Sequence, residues 1–465
     1  MKIDPVLKEV ASLFTARHKE ICLVGGAVRD MLRGKAAQDW DLATNAQPEE
    51  VVSIFNESKP RGMVIPTGIK HGTLTVHYKK CQMEITTYRT ESDYSDGRRP
   101  DSVEYAATIE EDLSRRDFCM NAIAIRLPNG EMIDPFGGQE DIKAGIIRCV
   151  GNPVERFAED GLRSLRALRF AAQLGFEIEE LTLEAIPLSL WVSAMVSAER
   201  VREELSKLLC ADYPERALRL MEDTGLLKFF LPELAACRGI EQKGMHYFDV
   251  LDHSIKACAY AASEHYPLEV ALAALLHDIG KPLVRNRAEP DNNESAWTFY
   301  RHEAESARLS RAILTRLRYP NVVIDSVCHL VREHMFLYDE TWSDAAVRRF
   351  IVRVGEANME NIYRLRLCDA YAMAGIRPQP EYLLPLVRRV DTVLAQNNAF
   401  SLKDLAVKGQ DLIAIGVKPG KAMGIILDQL METVLDDPEQ NTREKLLEIA
   451  EKLNARFVQQ SASTS

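Results

Sequence analysis

A glycine pair followed closely by two aspartates one residue apart is the most constraining feature of this 465-residue chain. In LVGGAVRD, the apolar run predicts a buried strand, and Gly25 and Gly26 let the backbone turn tightly and approach a ligand. In DWD, Asp39 and Asp41 share one face if a strand begins here, because residues i and i+2 of a strand point the same way. Such paired carboxylates suit Mg²⁺, the usual companion of a nucleoside triphosphate. A bare DxD is also common in surface turns, so the interpretation depends on the motifs that follow.

Composition sets the protein class. The chain is long enough for two to four domains, and its 46% hydrophobic and 27% charged residues are typical of a soluble globular protein. It contains no apolar run of membrane-spanning length, MKIDPVLKEV lacks the apolar h-region of a signal peptide, and the nine cysteines form no CxxC pair. We therefore expect a cytoplasmic protein with no membrane partner. The sequence leaves the oligomeric state open.

The net charge is −11, which argues mildly against a nucleic-acid partner because neutralising phosphates needs Lys and Arg. The net value hides local clusters, however. Arginines are grouped at Arg98-Arg99, at Arg115-Arg116 and along 163–169. An acidic chain can therefore still present one basic face to RNA.

The pattern of the chain changes near residue 150. Residues 21–150 alternate short apolar runs with turns, which predicts an α+β domain built on one sheet. Beyond 150 the periodicity is helical almost to the end of the chain. We predict four domains, comprising a head (1–150), a helical neck (151–239), a metal-binding domain (240–375) and a helical tail (376–465).

Two motifs in the head add charged residues. Glu84 stands in the otherwise apolar strand MEITTYR and therefore needs a metal or an arginine as partner, unless that strand lies at an exposed edge. Arg115 and Arg116 can meet phosphates, and the neighbouring Asp117 can accept hydrogen bonds from ribose hydroxyls, with Asn121 close by. A charge cluster at the start of a helix would explain the same residues without a ligand.

The segment EDGLRSLRALRF predicts a helix on which Asp160 and Arg163 are i, i+3 neighbours. A carboxylate acceptor and a planar donor on one face can read the hydrogen-bonding edge of a base, here that of an incoming nucleotide. The alternative is an ordinary ion pair on the helix surface.

Together these motifs resemble the class II tRNA nucleotidyltransferases, or CCA-adding enzymes, and the related bacterial poly(A) polymerases. GGAVRD with DWD matches the nucleotidyltransferase signature, and HGTLTV and MEITTYR follow in the expected order. TYRTESDYSDGRRPDSVEY matches the flexible-loop region, RRDFCMNAIA the ribose-sensing motif, EDGLRSLRALRF the amino-acid template and ERVREEL the neck motif. The resemblance covers about the first 210 residues, and a segment beginning GQDLIAIGV resembles the tail of such enzymes.

This resemblance implies a polymerase-β-like head followed by an all-α neck, body and tail, which adds CCA to the 3′ end of tRNA from CTP and ATP with Mg²⁺. The tRNA would lie across the neck and the helical C-terminal half, and the loop 93–100 would act in switching from C to A addition. The implied catalytic carboxylates are Asp39, Asp41 and Glu84, of which the first two would bind the two metal ions of a two-metal nucleotidyl transfer. The implied nucleotide-binding residues are Gly25, Gly26, Arg29, Arg116, Asp117, Asn121, Asp160, Arg163, Arg166 and Arg169.

The second half carries a separate set of metal-type residues around an HD dipeptide followed by Ile-Gly-Lys. Histidine and carboxylate together suit a divalent transition metal, such as Ni²⁺, Co²⁺ or Mn²⁺. The order of these residues resembles the HD domain of metal-dependent phosphohydrolases, which implies hydrolysis of 2′,3′-cyclic phosphates or phosphomonoesters. The core ligands would be His253, His277, Asp278 and Asp369, and His302 and His334 would permit a second metal. The alternative is a vestigial domain used for packing or RNA contact.

Several functions fit these motifs. The main hypothesis is complete CCA addition with an associated phosphohydrolase. An enzyme of a split pathway that adds only A stays open, whereas the complete DGRRP loop argues against one that adds only CC. An HD phosphohydrolase with an inactive head is opposed by the intact DWD, and a pure RNA-binding module would need neither set of metal ligands.

Overall fold

The computed structural model of the chain describes residues 3–36, 39–68, 72–92, 102–242, 247–287, 297–396 and 401–462. These residues form two compact units. The first unit comprises 1–238 with 262–271 and 312–320, and the second comprises the remaining segments, 239–261, 272–311 and 321–465. The first contains the predicted head and neck, and the second contains most of the predicted HD and tail regions. The division into four domains stays a prediction.

The head alternates strands and helices, as the short apolar runs predicted. Its elements are α1 (Pro5–Thr15), β1 (Ile21–Val24), α2 (Gly26–Leu32), β2 (Trp40–Thr44), α3 (Pro48–Glu57), β3 (Met63–Gly68), β4 (Thr73–Tyr78), β5 (Cys81–Thr87), β6 (Arg89–Ser92), β7 (Ser102–Tyr105), α4 (Ile109–Ser114), β8 (Ala124–Arg126), β9 (Glu131–Ile133) and α5 (Gly138–Ala144).

Seven of these strands form one mixed sheet in the order β3-β4-β5-β2-β1-β8-β9. The pair β2–β5 is parallel and the other pairs are antiparallel. The core under the sheet is built from aliphatic residues of β1, β4 and β5 together with Phe14 and Phe55, which pack edge to face. Burial of this apolar face stabilises the sheet and fixes the register of β2 against β5.

The neck is helical, with one short strand pair. Its elements are β10 (Ile146–Ile147), α6 (Pro153–Glu159), α7 (Leu162–Leu174), β11 (Glu177–Ile178), α8 (Glu180–Leu188), α9 (Leu190–Ser193), α10 (Ala198–Leu209), α11 (Pro214–Asp223), α12 (Leu226–Phe230) and α13 (Pro232–Ala235). One local prediction is wrong: Asp160 does not lie on a helix with Arg163. It has an extended backbone between α6 and α7, and Gly161, in a tight approach to the backbone of Val192 and Ser193, separates the two helices.

Helices also dominate the rest of the chain. The elements are α14 (Val250–Ser263), α15 (Leu268–Leu276), α16 (Lys281–Val284), β12 (Asn286–Arg287), β13 (Trp297–Thr298), α17 (His302–Arg316), α18 (Asn321–Glu333), α19 (Asp344–Val354), α20 (Met359–Ala374), α21 (Leu384–Ala395), α22 (Gly409–Ala414), α23 (Lys421–Asp436) and α24 (Arg443–Ala462). A separate apolar cluster between Leu405 and Ala450 forms the core of the last three helices. The predicted α+β class, with a mixed-sheet head and a mainly helical remainder, is confirmed.

A helix that crosses a membrane must be both long and strongly apolar. Within the described ranges, no helix combines the length and the apolar character needed to cross a membrane.

Candidate active sites

The turn between β1 and α2 is built around Gly25. Its φ of +71° lies in the left-handed region, which residues with a side chain rarely adopt. A Cβ at this position would stand 3.1 Å from Nη1 of Arg116 and 3.5 Å from Oδ2 of Asp41. The glycine thus leaves a gap bordered by a cation and a carboxylate at the N-terminus of α2.

The predicted catalytic carboxylates lie next to one another at this edge of the sheet. Asp41 in β2 is directly paired with Glu84 in β5, and Asp39 immediately precedes β2. Burial raises the pKa of Asp41, and although Arg116 opposes this, the negative charges of Glu84 and Asp39 raise it further. Three acidic groups that repel one another need a cation, and their oxygen atoms are ligands that Mg²⁺ prefers. The residues present therefore fit a magnesium site.

A cavity of about 480 Å³ adjoins these carboxylates and carries the predicted triphosphate contacts. Gly26, Arg29, Arg33 and Lys35 line it together with Asp39 and Asp41. The Arg29 guanidinium bonds to both carboxylate oxygens of Asp30 and donates 2.9 Å to Oδ1 of Asn121. The cavity thus combines three cations with the acidic pair, as a metal-bound triphosphate requires.

Asp117 is held firmly in a neighbouring cavity. Oδ2 accepts two hydrogen bonds from Arg166, at 2.9 and 2.6 Å, while Oδ1 accepts from the Phe118 amide and from Asn121. Burial would raise the pKa of Asp117, but the Arg166 charge and these hydrogen bonds lower it to about 2. Asp117 is therefore a fixed, ionised acceptor, and Asn121 links it to Arg29.

The predicted template residues line the same cavity of about 350 Å³ as Asp117, Asp41 and Glu84. The two template residues, Asp160 and Arg163, do not pair with each other. Arg200, on α10, donates to both oxygens of Asp160 at 3.1 and 2.6 Å, whereas Arg163 pairs with Glu159 and donates to the backbone oxygens of Arg156 and Arg115. The extended backbone at Asp160, rather than a shared helix face, brings the two side chains to one cavity.

Arg169 lies behind this cavity. Its Nε donates 2.7 Å to Glu204, which also lies 3.6 Å from Arg166, and its guanidinium stacks 3.5 Å from the ring centroid of Phe170. Both Arg169 and Glu204 are buried. The structure thus gives Arg169 the position of a support for Arg166, although the motif predicted a nucleotide contact.

Sequence reasoning missed three residues of this site. One loop that it assigned to the site cannot be compared with the structure. Asp112, Arg200 and Glu204 were not predicted, although Arg200 and Glu204 lie inside the quoted neck motif and Asp112 lies three residues before the ribose-sensing motif, which is the signal that could have found them. The loop 93–100, predicted to switch from C to A addition, lies outside the described residues.

A substitution at Gly25 tests the close packing of this turn. Gly25→Ala is expected to lower the free energy of unfolding by about 1–3 kcal/mol through backbone strain, and to displace Arg116 as well. Gly416→Ala is a matched control, since Gly416 has a φ of +89° with nothing within 4 Å of its Cβ position. Urea unfolding should show a similar loss for both variants, and nucleotide incorporation should fall in Gly25→Ala only. Equal nucleotide incorporation by the two variants would show that the gap at Gly25 has no role in the reaction.

The second unit brings together all six residues predicted for the HD site. Two groups of three have ligand atoms within 4.8 Å of one another, and Asp278 belongs to both. One group is His253, His277 and Asp278, and the other is Asp278, His302 and His334. Asp369, on α20, completes the first group, since its Oδ1 lies 3.2 Å from Nε2 of His253.

The histidines of this cluster are oriented by backbone carbonyls. Nδ1 of His277, His302 and His334 lies 2.9, 2.9 and 2.7 Å from the carbonyl oxygens of Ala274, Phe299 and Val331. Donation from Nδ1 leaves the Nε2 lone pairs pointing into the cluster, which is the usual arrangement of metal-binding histidines. The Nε2 atoms of His253 and His277 are only 3.1 Å apart.

The charges of the cluster also fit a metal. Burial would raise the pKa of Asp278, but His277 and Lys281 hold it well below its usual range, and His253 and His277 do the same for Asp369. Burial lowers the pKa of His334 to about 3, so its imidazole is neutral. Ionised carboxylates, together with imidazoles that bind a metal once they are deprotonated, are the donor set of a divalent transition metal.

Three models of protein families match successive parts of the chain. Residues 21–148 match the poly A polymerase head domain, and 175–238 match the RNA and SrmB-binding site of polymerase A. Residues 288–450 match the second domain of tRNA nucleotidyltransferases. The segment 239–287, which contains His253 and the HD dipeptide, lies between the last two matches.

Curated relatives match along most of their length. The CCA-adding enzyme of Enterococcus faecalis is 32% identical over 97% of this chain and 96% of its own, and that of Geobacillus stearothermophilus is 34% identical over 91% and 90%. A solved structure of the Bacillus stearothermophilus CCA-adding enzyme in complex with CTP superposes with a TM-score of 0.73 at 30% identity, covering 98% of this chain and 100% of that one. On these alignments, the chain belongs to the CCA-adding enzyme family of tRNA nucleotidyltransferases.

Proposed function

We propose that this protein adds C, C and A to the 3′ end of tRNA from CTP and ATP without a nucleic-acid template. The observation that carries this proposal is the cavity shared by the catalytic carboxylates Asp41 and Glu84 and the selecting residues Asp160 and Arg163. The relative solved in complex with CTP supports the same substrate class. A nucleotide bound in this cavity would lie within reach of both the catalytic carboxylates and the residues that select its base.

The residues divide the chemistry between them. Asp39 and Asp41 would hold Mg²⁺, which on binding would activate the RNA 3′-hydroxyl for attack on the α-phosphate and stabilise the leaving pyrophosphate. Arg29 and Arg116 orient the triphosphate through their planar guanidinium groups. Asp117, fixed by Arg166, accepts a hydrogen bond from the ribose.

Base selection rests on Asp160 and Arg163. Arg200 fixes the carboxylate plane of Asp160 through two hydrogen bonds and leaves lone pairs for the amino group that both cytosine and adenine carry. UTP and GTP present different donor and acceptor patterns at the matching position. We therefore assign Arg200 a positioning role in nucleotide selection.

This role gives a specific expectation for Arg200→Met. The variant should lose discrimination against UTP and GTP by about tenfold, because a misoriented carboxylate forfeits on the order of 1–3 kcal/mol of readout. The measurement is kcat/KM for each of the four triphosphates on tRNA ending before CCA. Arg202→Met is the control on the same helix, since Arg202 contacts Glu203 and the Arg318 carbonyl. Unchanged selectivity in Arg200→Met would refute the assignment.

Three tRNA transcripts test the overall activity. They end before CCA, after the first C and after the second C, and each receives Mg²⁺ with CTP alone, ATP alone or both. Products resolved at single nucleotides should show addition of C, C and A that then stops. Addition of A to the last transcript alone would make the protein one half of a split pathway, and no addition to any transcript would overturn the proposal.

We also propose that the HD cluster binds a divalent transition metal and hydrolyses phosphoesters. His253, His277, Asp278 and Asp369 would hold one metal, and Asp278 with His302 and His334 would hold a second. The bound metal would polarise the phosphoester and lower the pKa of an attacking water. Fused to a transferase that needs a free 3′-hydroxyl, the site suits 2′,3′-cyclic phosphates and phosphomonoesters at RNA ends.

Metal titration tests this second proposal independently of activity. Isothermal titration of the metal-free protein with Ni²⁺, Co²⁺ and Mn²⁺ should reveal tight binding of at least one of them. Tight binding should disappear in Asp278→Asn, because Asp278 belongs to both ligand groups. Retention of tight binding in that variant would contradict the assignment, as would hydrolysis of model phosphoesters by the thoroughly metal-stripped protein.

A further inference from the structure

Asp112 is a buried carboxylate three residues before the first of the two arginines of the RRD motif. It lies on the short helix α4, and its side chain is only 1% exposed. Its Oδ1 accepts hydrogen bonds from Nε and Nη2 of Arg115 at 3.1 and 2.9 Å, and its Oδ2 accepts from Nη2 of Arg116 at 3.1 Å. One anion thus holds both cations of the motif.

The charge on Asp112 is supported by these same contacts. Burial would raise the pKa of Asp112, but Arg115 and Arg116 lower it below its ordinary value. Removing the charge would leave two half-buried guanidinium groups in need of another anion, which is an unfavourable state in a poorly solvated site.

Arg116 reaches in two directions. While Nη2 bonds to Asp112, Nη1 faces the gap at Gly25, whose other border is Oδ2 of Asp41. Among the described residues, Arg116 forms its ion pair with Asp112 rather than with Asp41. Four carboxylates line a cavity with Arg116, and two of them, Asp117 and Asp160, already pair with Arg166 and Arg200. The other two, Asp41 and Glu84, could therefore receive Arg116 once it is released.

We propose that Asp112 is a positioning residue that restrains Arg116, so that Asp41 remains available to a divalent cation and Nη1 of Arg116 is presented to the triphosphate. This inference rests on the proposed transferase site. Without Asp112, Arg116 pairs with Asp41 and competes with the metal. Asp112 therefore acts on the metal site through Arg116 and touches neither the metal nor the nucleotide.

The inference predicts a particular pattern of metal binding. Asp112→Asn should weaken divalent-cation binding at the transferase site by about tenfold, the scale of one partly buried ion pair. Arg116→Met added to Asp112→Asn should restore the affinity, because the competitor is gone. A role of Asp112 in folding alone would lower the free energy of unfolding in Asp112→Asn without changing the Mn²⁺ affinity of the folded protein.

The experiment is Mn²⁺ binding to the full-length protein, followed by the electron paramagnetic resonance signal of free Mn²⁺. All variants carry Asp278→Asn, so that neither ligand group of the HD cluster contributes. The set comprises the parent, Asp112→Asn, Asp112→Asn with Arg116→Met, and Asp41→Ala. Asp141→Asn is the matched control, since Asp141 is a buried carboxylate that pairs with Arg148 in the same head.

The expected result is weakened Mn²⁺ binding in Asp112→Asn, recovery in the double variant and no change in Asp141→Asn. Parent-like binding in Asp112→Asn, or no recovery in the double variant, would overturn the inference. If Asp41→Ala binds Mn²⁺ as the parent does, the proposed transferase metal site itself fails, which is a distinguishable outcome.

Arg115→Met provides a second variant in case Asp112→Asn does not fold. In this variant Asp112 forms its ion pair with Arg116 only, so Arg116 stays restrained. The Mn²⁺ affinity should therefore equal or exceed the parent value. A fall in affinity in Arg115→Met would overturn the inference.

Discussion

The Asp41→Ala variant is expected to lose nucleotide addition by at least about a thousandfold, which corresponds to roughly 4 kcal/mol of transition-state stabilisation. The reason is that Asp41 is the carboxylate common to the two cavities described above, of about 480 and 350 Å³. The free energy of unfolding of Asp41→Ala should equal or slightly exceed that of the wild type. This is expected because burial and the charges of Glu84 and Asp39 disfavour the ionised carboxylate of Asp41 in the folded protein. The measurements are single-turnover extension of tRNA and urea unfolding.

Glu131→Ala is the matched control for this variant. Glu131 lies on β9, at the far edge of the same sheet, and forms an exposed ion pair with Arg126. It should keep full activity and stability. If Asp41→Ala unfolds, or extends tRNA at the rate of the control, Asp41 does not have the catalytic role assigned to it.

The second large effect concerns the other site. His277→Ala is expected to abolish phosphoester hydrolysis and metal binding by the first ligand group while leaving CCA addition unchanged, because His277 contributes Nε2 to that group at 3.3 Å from Asp278. Elemental analysis of the purified variant and both activity assays check this expectation. His329→Ala is the control, since His329 bonds to the Val354 carbonyl and lies in neither ligand group. Loss of both activities in a folded His277→Ala protein would contradict two independent sites.

Metal affinity at this cluster should also depend on pH. Burial would lower the pKa of His277, but Asp278 and Asp369 raise it to about 10, so the metal-free site holds a proton at neutral pH. A metal must displace that proton, and affinity should therefore rise by about tenfold per pH unit between pH 6 and 8. Calorimetry in buffers of different ionisation enthalpy would count the released proton. A pH-independent affinity would show that His277 does not exchange a proton for the metal.

The sequence predicted those parts of the site that depend on local pattern. The turn at Gly25, the strand that carries Asp41 and the strand that carries Glu84 each follow from a short apolar run and its neighbours. The pairing of Asp41 with Glu84 does not, because it depends on a parallel match between β2 and β5 that are far apart in sequence. The resemblance to a known family supplied that relation in advance.

The helical part shows where periodicity fails. The motif around Asp160 reads as one continuous helix, but Gly161, closely packed against Val192 and Ser193, divides it in the structure. Asp160 is consequently held by Arg200, a residue that no local pattern connects to it. The resemblance assigned Arg169 to the nucleotide, and this contact stays a prediction. Its burial against Glu204 and Phe170 could not be predicted, since a repeat of arginines does not reveal which of them faces the core.

One measurement tests the two-site account most directly. A tRNA transcript that ends before CCA in a 2′,3′-cyclic phosphate is incubated with CTP, ATP, Mg²⁺ and the HD-site metal, beside the same transcript with a free hydroxyl end. The account predicts that wild-type protein hydrolyses the cyclic phosphate to a monoester, releases that phosphate by a second hydrolysis and then adds CCA. Asp41→Ala should carry out the two hydrolyses only, and His277→Ala should extend only the hydroxyl-ended transcript. Failure of the wild type to extend the hydroxyl-ended transcript, or extension of the blocked one by His277→Ala, would contradict it.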